Sequence, residues 1–211
     1  FITPGETIRI EVRDVKAKQA TIQQVFRQVE QLPFPRPWTP AAVGEVLLPR
    51  DGVRTYEKSS SELRFDNESR MIVSEESVVF LREPVAAAPT ISRKAIDIRA
   101  GQADLDTLRN TRGVVTDIEF HIGDTTGTAK PGADGKGTSR ARRAEDGGTR
   151  VMVYGGESDV TAGGKTHAVN PGQGIAVTPD GRTNGPESLL PAPRSLSPNE
   201  SQNFDYSNPT F

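Results

Sequence analysis

Glycine is spread unevenly along this chain of 211 residues, and that unevenness limits the possible folds more than any other feature. Five of the 20 glycines fall in residues 1–122, and fifteen fall between Gly123 and Gly185. Glycine adopts positive φ without steric cost, so dense glycine marks places where the backbone must reverse. Paired glycines stand at 147–148, 155–156 and 163–164, with short alternating runs around them: Val151-Met152-Val153-Tyr154, Ser158-Asp159-Val160-Thr161 and Thr166-His167-Ala168-Val169. Ile175-Ala176-Val177 closes the series after Asn170-Pro171-Gly172. Paired glycines between alternating runs predict hairpins. With 16 prolines, glycine makes up 36 of 211 residues, about 17% against a usual share near 12%. A turn-dense, strand-rich chain is favoured and long helices are not.

The first half carries the same period of two. Ile8, Ile10 and Val12 alternate with Arg9, Glu11 and Arg13, and Leu63 and Phe65 alternate with Glu62, Arg64 and Asp66. Val46-Leu47-Leu48 and Val53-Arg54-Thr55-Tyr56 flank a Pro49-Arg50-Asp51-Gly52 turn. Asp66-Asn67-Glu68-Ser69 turns into Met71-Ile72-Val73, and Ser74-Glu75-Glu76-Ser77 turns into Val78-Val79-Phe80-Leu81. Strands recurring about every 8–10 residues point to an all-β fold of many short antiparallel strands, in a solenoid-like or sandwich arrangement. At most one short N-terminal helix is compatible with the pattern. Ile22, Val25, Phe26, Val29 and Leu32 fit helical spacing, while their β-branched and aromatic character fits a strand pair equally well, so residues 20–32 stay open.

Three segments follow from this. Residues 1–42 form an N-terminal strand and a Pro-rich lead-in (Pro33, Pro35, Pro37, Pro40) that packs on the core. Residues 43–185 form the β domain. Residues 186–211 form a Pro-rich linker towards a further domain. Residues 84–92 are a small-residue connector, after which Ile96, Ile98, Val114, Val115, Ile118 and Phe120 resume the strand pattern. Residues 123–149 hold almost no large apolar side chain, so a flexible Gly-rich insertion is expected there. Phe1 is not an initiator methionine, which suits a processed chain or a part of a longer one.

The chemistry on offer is sparse. A net charge of −2 argues against a nucleic-acid binder acting through bulk charge. The absence of Cys excludes disulfides, thiolate metal sites and a Cys nucleophile, and with His121 and His167 as the two histidines most zinc chemistry is excluded as well. No apolar run is long enough for a membrane helix. The stretch from Lys130 to Thr138 mimics a phosphate loop, but Gly137 separates Gly135-Lys136 from Thr138. The alternating carboxylates of a calcium loop are missing around Asp134 and Asp146, and no Gly-x-Ser-x-Gly elbow occurs. We therefore expect no enzyme, no cofactor and no metal. The candidate ligand contacts are Trp38, Tyr56 and Tyr154 as stacking platforms, and the basic run Arg140, Arg142 and Arg143 as an anion contact. Trp38 serves equally as a packing anchor, and the arginines as a solvated surface offset by Glu145 and Asp146.

The order of the turn motifs carries a resemblance. Val43-Gly44-Glu45-Val46-Leu47, Gly52-Val53-Arg54-Thr55 and Ser60 to Asp66 lie in the first half. Gly147-Gly148-Thr149-Arg150-Val151, Gly155-Gly156-Glu157-Ser158-Asp159-Val160 and Asn170-Pro171-Gly172-Gln173-Gly174 lie in the second. In this order and spacing, over residues 43–180, the motifs resemble the FecR family. The chain departs from the family between Ile122 and Arg143, where Gly127-Thr128 and Gly137-Thr138 lack a following apolar strand. The resemblance implies an extracytoplasmic bacterial module, periplasmic or at the cell surface, all-β and solenoid-like. The function it suggests is a non-enzymatic scaffold of an envelope protein that meets another envelope protein or a cell-wall polysaccharide. The alternatives are a carbohydrate-binding module and a periplasmic domain relaying a transporter's state to a sigma-factor regulator.

Overall fold

A computed structural model describes residues 18–65, 68–83 and 90–189. The expected strand at 8–12, most of the 84–92 connector, Asp66-Asn67 of the first turn and the linker beyond Leu189 lie outside the described residues. Eighteen strands and no helix are found among those described. The first eight are β1 (Ala20–Phe26), β2 (Val29–Leu32), β3 (Thr39–Pro40), β4 (Val46–Leu47), β5 (Gly52–Thr55), β6 (Ser60–Phe65), β7 (Arg70–Val73) and β8 (Val78–Arg82). The central ones are β9 (Ile91–Ala100), β10 (Gln102–Leu108), β11 (Val115–Ile122), β12 (Thr125–Lys130) and β13 (Lys136–Arg143). The last are β14 (Thr149–Gly155), β15 (Glu157–Ala162), β16 (Lys165–Val169), β17 (Gln173–Val177) and β18 (Glu187–Ser188).

They form two nine-stranded sheets. Sheet I runs β18-β17-β14-β13-β10-β7-β6-β1-β4, and sheet II runs β16-β15-β12-β11-β9-β8-β5-β2-β3. The chain alternates between them: β6 and β7 in sheet I, β8 and β9 in sheet II, β10 in sheet I, β11 and β12 in sheet II. It continues with β13 and β14 in sheet I, β15 and β16 in sheet II, and β17 and β18 in sheet I. Since β10 is a single strand, the path β9-β10-β11 makes one full coil, and β9 pairs with β11 in parallel. Every other pairing is antiparallel.

The core lies between the sheets. Ile22, Leu63, Met71, Leu105 and Val151 face inward from sheet I, and Val53, Leu81, Ile96, Ile118, Phe120 and Val160 from sheet II. Each such side chain contributes about 1.5–3 kcal/mol through the apolar surface it removes from water. Alternation sets which residues these are. In β7, for example, Met71 and Val73 are buried while Arg70 and Ile72 are half-buried on the other face.

The open question at 20–32 resolves as two strands. Arg27 takes a φ of 59°, and the corner it makes sends β1 into sheet I and β2 into sheet II. The expected insertion at 123–149 is instead largely strand, because β12 and β13 pair fully within the two sheets. Their inward residues are simply small: Thr125, Gly127 and Ala129 in β12, and Gly137, Ser139 and Ala141 in β13, all buried. Phe120 of the adjacent strand fills the space, since a Cβ on Gly127 would stand 2.2 Å from its Cζ. The glycine steps also differ in kind. Gly163-Gly164 closes a true hairpin between β15 and β16. At 155–156, the chain passes from sheet I to sheet II. There Gly156 has a φ of 72°, and a Cβ would stand 2.2 Å from the Lys130 carbonyl oxygen.

Candidate interaction surfaces

The first cluster is built where β2, β3 and β5 meet at one end of sheet II. The β2–β5 register sets Glu30 opposite Arg54. The Arg54 guanidinium donates to Glu30 Oε2, which also accepts the Tyr56 hydroxyl at 2.9 Å. Arg54 lies 4.6 Å from the Trp38 ring centroid and 5.5 Å from that of Tyr56. Trp38 meets Phe80 edge-on, with centroids 6.0 Å apart. Gly52 lies beneath both rings, and a Cβ there would come within 3.0 Å of each. The hydrogen bond from Arg54, followed by that from Tyr56, holds the Glu30 carboxyl below its ordinary range. Desolvation, followed by the bond to Glu30, pushes the Tyr56 phenol up. The strand pairing thus brings Trp38 and Tyr56 together around one guanidinium, so the Trp38 ring is already engaged by cation–π contact and by Phe80. Alongside, Arg50 stacks 3.7 Å over Phe34, whose N–H donates at 2.9 Å to the buried Asp51 carboxylate.

The second cluster lies on the outer face of sheet I. Asp104 of β10 stands opposite Arg140 of β13 and receives two hydrogen bonds from it, at 2.5 and 3.1 Å. Asp106, two residues on, accepts from Arg70 at 2.6 Å and from Thr138 at 3.0 Å. The bond to Asp104 raises the Arg140 pKa further. Arg140 also lies 5.9 Å from the Tyr154 ring, which is 38% exposed. The basic run therefore divides. Arg140 is neutralised by a forked pair, whereas Arg142 stands opposite a second cation, Arg150. Arg142 and Arg143 line a groove of about 930 Å³ along the corners of the sandwich, together with Phe26, Lys58, Glu76 and Glu145. Trp38 and Tyr56 flank strands β3 and β5 of sheet II, and the arginines with Tyr154 lie in sheet I, so the six predicted residues form two separate surfaces.

Sequence inspection alone missed Glu30, Arg54, Phe80, Asp104 and Arg150. A period-two signal does mark Asp104 and Asp106 as outward positions, but it names no partner. A third array crosses the outer face of sheet II. Arg93 lies 3.7 Å from the buried Asp117, and Lys130 pairs with Asp159. Burial outweighs the nearby cations and raises the Asp117 pKa. His121 and Glu119 bond at 2.7 Å. No group of three or more His, Cys, Asp or Glu residues suited to a metal occurs among the described residues. None of them forms a helix long and apolar enough to cross a membrane.

No family model matches the chain, and no curated protein matches it. Two crystal structures of candidate anti-sigma factors from Parabacteroides distasonis ATCC 8503 align with it. One, at 2.50 Å resolution, aligns with a TM-score of 0.50 and 11% identity. The other, at 1.65 Å, aligns with a TM-score of 0.49 and 14% identity. Each alignment covers 65% of this chain and 59% of the neighbour, so the match spans little more than half the neighbour's length.

Proposed function

We propose that this chain is a FecR-type β module of the bacterial envelope, non-enzymatic and extracytoplasmic, which works by holding a partner protein. The observation that supports this best is the alternating thread through two long sheets, matched at a TM-score of 0.50 in a candidate anti-sigma factor. A regulator of that kind acts by binding proteins, and a module with the same thread fits the relay form of the scaffold reading. The outer faces agree with such a role. Several of their charges are tied in pairs such as Arg140–Asp104 and Arg54–Glu30, which holds those side chains in place for docking. For carbohydrate binding, by contrast, Trp38 offers a ring already engaged by Arg54 and Phe80.

Photo-cross-linking in the native host, from the full-length protein with the reactive group at exposed Tyr154 or Phe26, tests the reading. Discrete protein adducts in the envelope fraction are expected. A hydrolase or transferase activity of the purified chain, abolished by one point substitution, would overturn it.

A further inference from the structure

Two sheets have four edges, and three of these end on strands of two residues: β4, β18 and β3. Pro40 of β3 further lacks the N–H that a ladder would need. The fourth edge is different. β16 is five residues long, and no other strand among the described residues pairs with it beyond β15. The hairpin fixes which of its groups are free. Across the Gly163-Gly164 turn, Ala162 stands opposite Lys165, Val160 opposite His167, and Ser158 opposite Val169. The residues flanking a two-residue turn form a hydrogen-bonded pair, and bonded pairs then alternate with unbonded ones. Thr166 and Ala168 therefore point their N–H and C=O groups away from β15. No loop among the described residues bonds to them.

The thread makes this edge the place where a next rung would add. Sheet I grows from β13-β14 to β17-β18, and sheet II from β11-β12 to β15-β16, at the same end of the sandwich. Among the described residues, the two of β18 cap sheet I there, while sheet II ends on β16.

We infer that β16 is a docking edge, and that its occupant is an extended segment of a partner protein which adds as the next strand of sheet II. This rests on the protein-binding reading above. Exposed Lys165 has no carboxylate partner among the described residues, so it selects an acidic side chain on the incoming strand. Thr166 continues the row from Thr126 and Thr161, with Oγ1 of Thr161 and Thr166 at 2.8 Å, and so favours a hydroxyl-bearing neighbour. A second copy meeting edge to edge would bury only two short strands, well below the roughly 1,200 Å² of a stable interface. A flexible segment can instead fold its side chains over both faces.

Cross-linking from position 166 in the full-length protein in its own host tests this, with position 154 in parallel. Ala168→Pro removes an N–H that faces the edge and leaves the β15–β16 bonds intact, whereas Ala168→Ser keeps it. Lys165→Glu tests the charge independently, should Ala168→Pro fail to fold by circular dichroism. The expected result is a protein adduct from position 166 to an extended acidic segment. Its yield should fall roughly tenfold in Ala168→Pro and in Lys165→Glu, and hold in Ala168→Ser. An unchanged yield in both variants, or an adduct to a second copy or to residues after Leu189 of the same chain, overturns the inference. Adducts from position 154 but not from 166 sink it while the protein-binding reading stands. No protein adduct from any position removes that reading as well.

Discussion

Gly127→Ala puts the packing account to a test in which propensity and geometry predict opposite signs. Glycine inside a strand is worse than alanine by about 0.5–1 kcal/mol, because it orders a freer unfolded chain. The Gly127 backbone lies outside the left-handed region, so on local grounds alone the substitution stabilises. The neighbour reverses this. The new Cβ would stand 2.2 Å from Cζ of Phe120, with two further ring atoms at 2.6 and 2.9 Å. Ordinary carbon contacts lie at about 3.5–4.0 Å, so the ring must withdraw by roughly 1.3 Å or more. Phe120 has no exposed surface and stands between Gly127 and Ile96 in adjacent strands of the same sheet. Overpacking of this kind costs about 1–3 kcal/mol, and more when a buried ring is displaced. After the propensity gain is subtracted, the net loss should be about 1–2 kcal/mol.

Urea unfolding followed by circular dichroism and by the fluorescence of Trp38 reads this out. With a slope near 2 kcal/mol/M, the midpoint should drop by about 0.5–1 M with the slope unchanged. The two probes should coincide if unfolding is two-state. Phe120→Leu vacates the contested volume, so in that background Gly127→Ala should cost less than it does alone, a coupling read from the double-mutant cycle. A Gly127→Ala midpoint at or above that of the parent would refute the claim that β12 is held by Phe120 packing over a glycine.

Asp104→Ala should cost about 1–2 kcal/mol by denaturant melting, since it leaves the forked Arg140 guanidinium half-buried and unpaired. Thr55→Val preserves shape but removes the hydroxyl that accepts the buried Ser77 N–H at 3.0 Å, and should cost about 1–3 kcal/mol. Two carboxylates give opposite pH signatures. Asp117, raised by burial above its ordinary 3.8, keeps its proton in the native state after the unfolded chain has released it. Native stability must therefore fall as pH climbs from about 4 through the raised value, and Asp117→Asn should flatten that decline. Glu30 is lowered from 4.5, so its contribution is complete above that value and fades as pH drops through the native one. Glu30→Gln should flatten that acid limb in melts recorded from pH 2 to 7.

What the sequence makes legible here is what one strand decides alone. Alternation marks Leu63 and Phe65 as inward, and the polar turn before Met71-Ile72-Val73 marks the β6–β7 hairpin, while only the pairing shows that Met71 and Val73 face in and Ile72 out. What it hides depends on two strands at once. β12 and β13 look too polar to pack because their buried positions are Gly127, Ala129, Gly137 and Ala141, and their apolar filling comes from neighbours such as Phe120. A corner between sheets at 155–156 and a hairpin at 163–164 place the same demand on glycine, so residue type does not separate them. The candidate surfaces follow the same rule. Arg140, Arg142 and Arg143 form one basic run in the sequence, but register gives Arg140 a carboxylate 36 residues away and gives Arg142 another arginine. Trp38 and Tyr56 stand out as aromatics, yet only the β2–β5 pairing reveals Arg54 between them. Register therefore shapes the candidate surfaces as well as stability. It ties many outward charges to partners within the sheets, and among the described residues it also leaves backbone untied at Thr166 and Ala168, on an edge where no other strand supplies a register. The docking proposed for β16 follows from this, because donors and acceptors left where pairing stops are already held in line for an added strand.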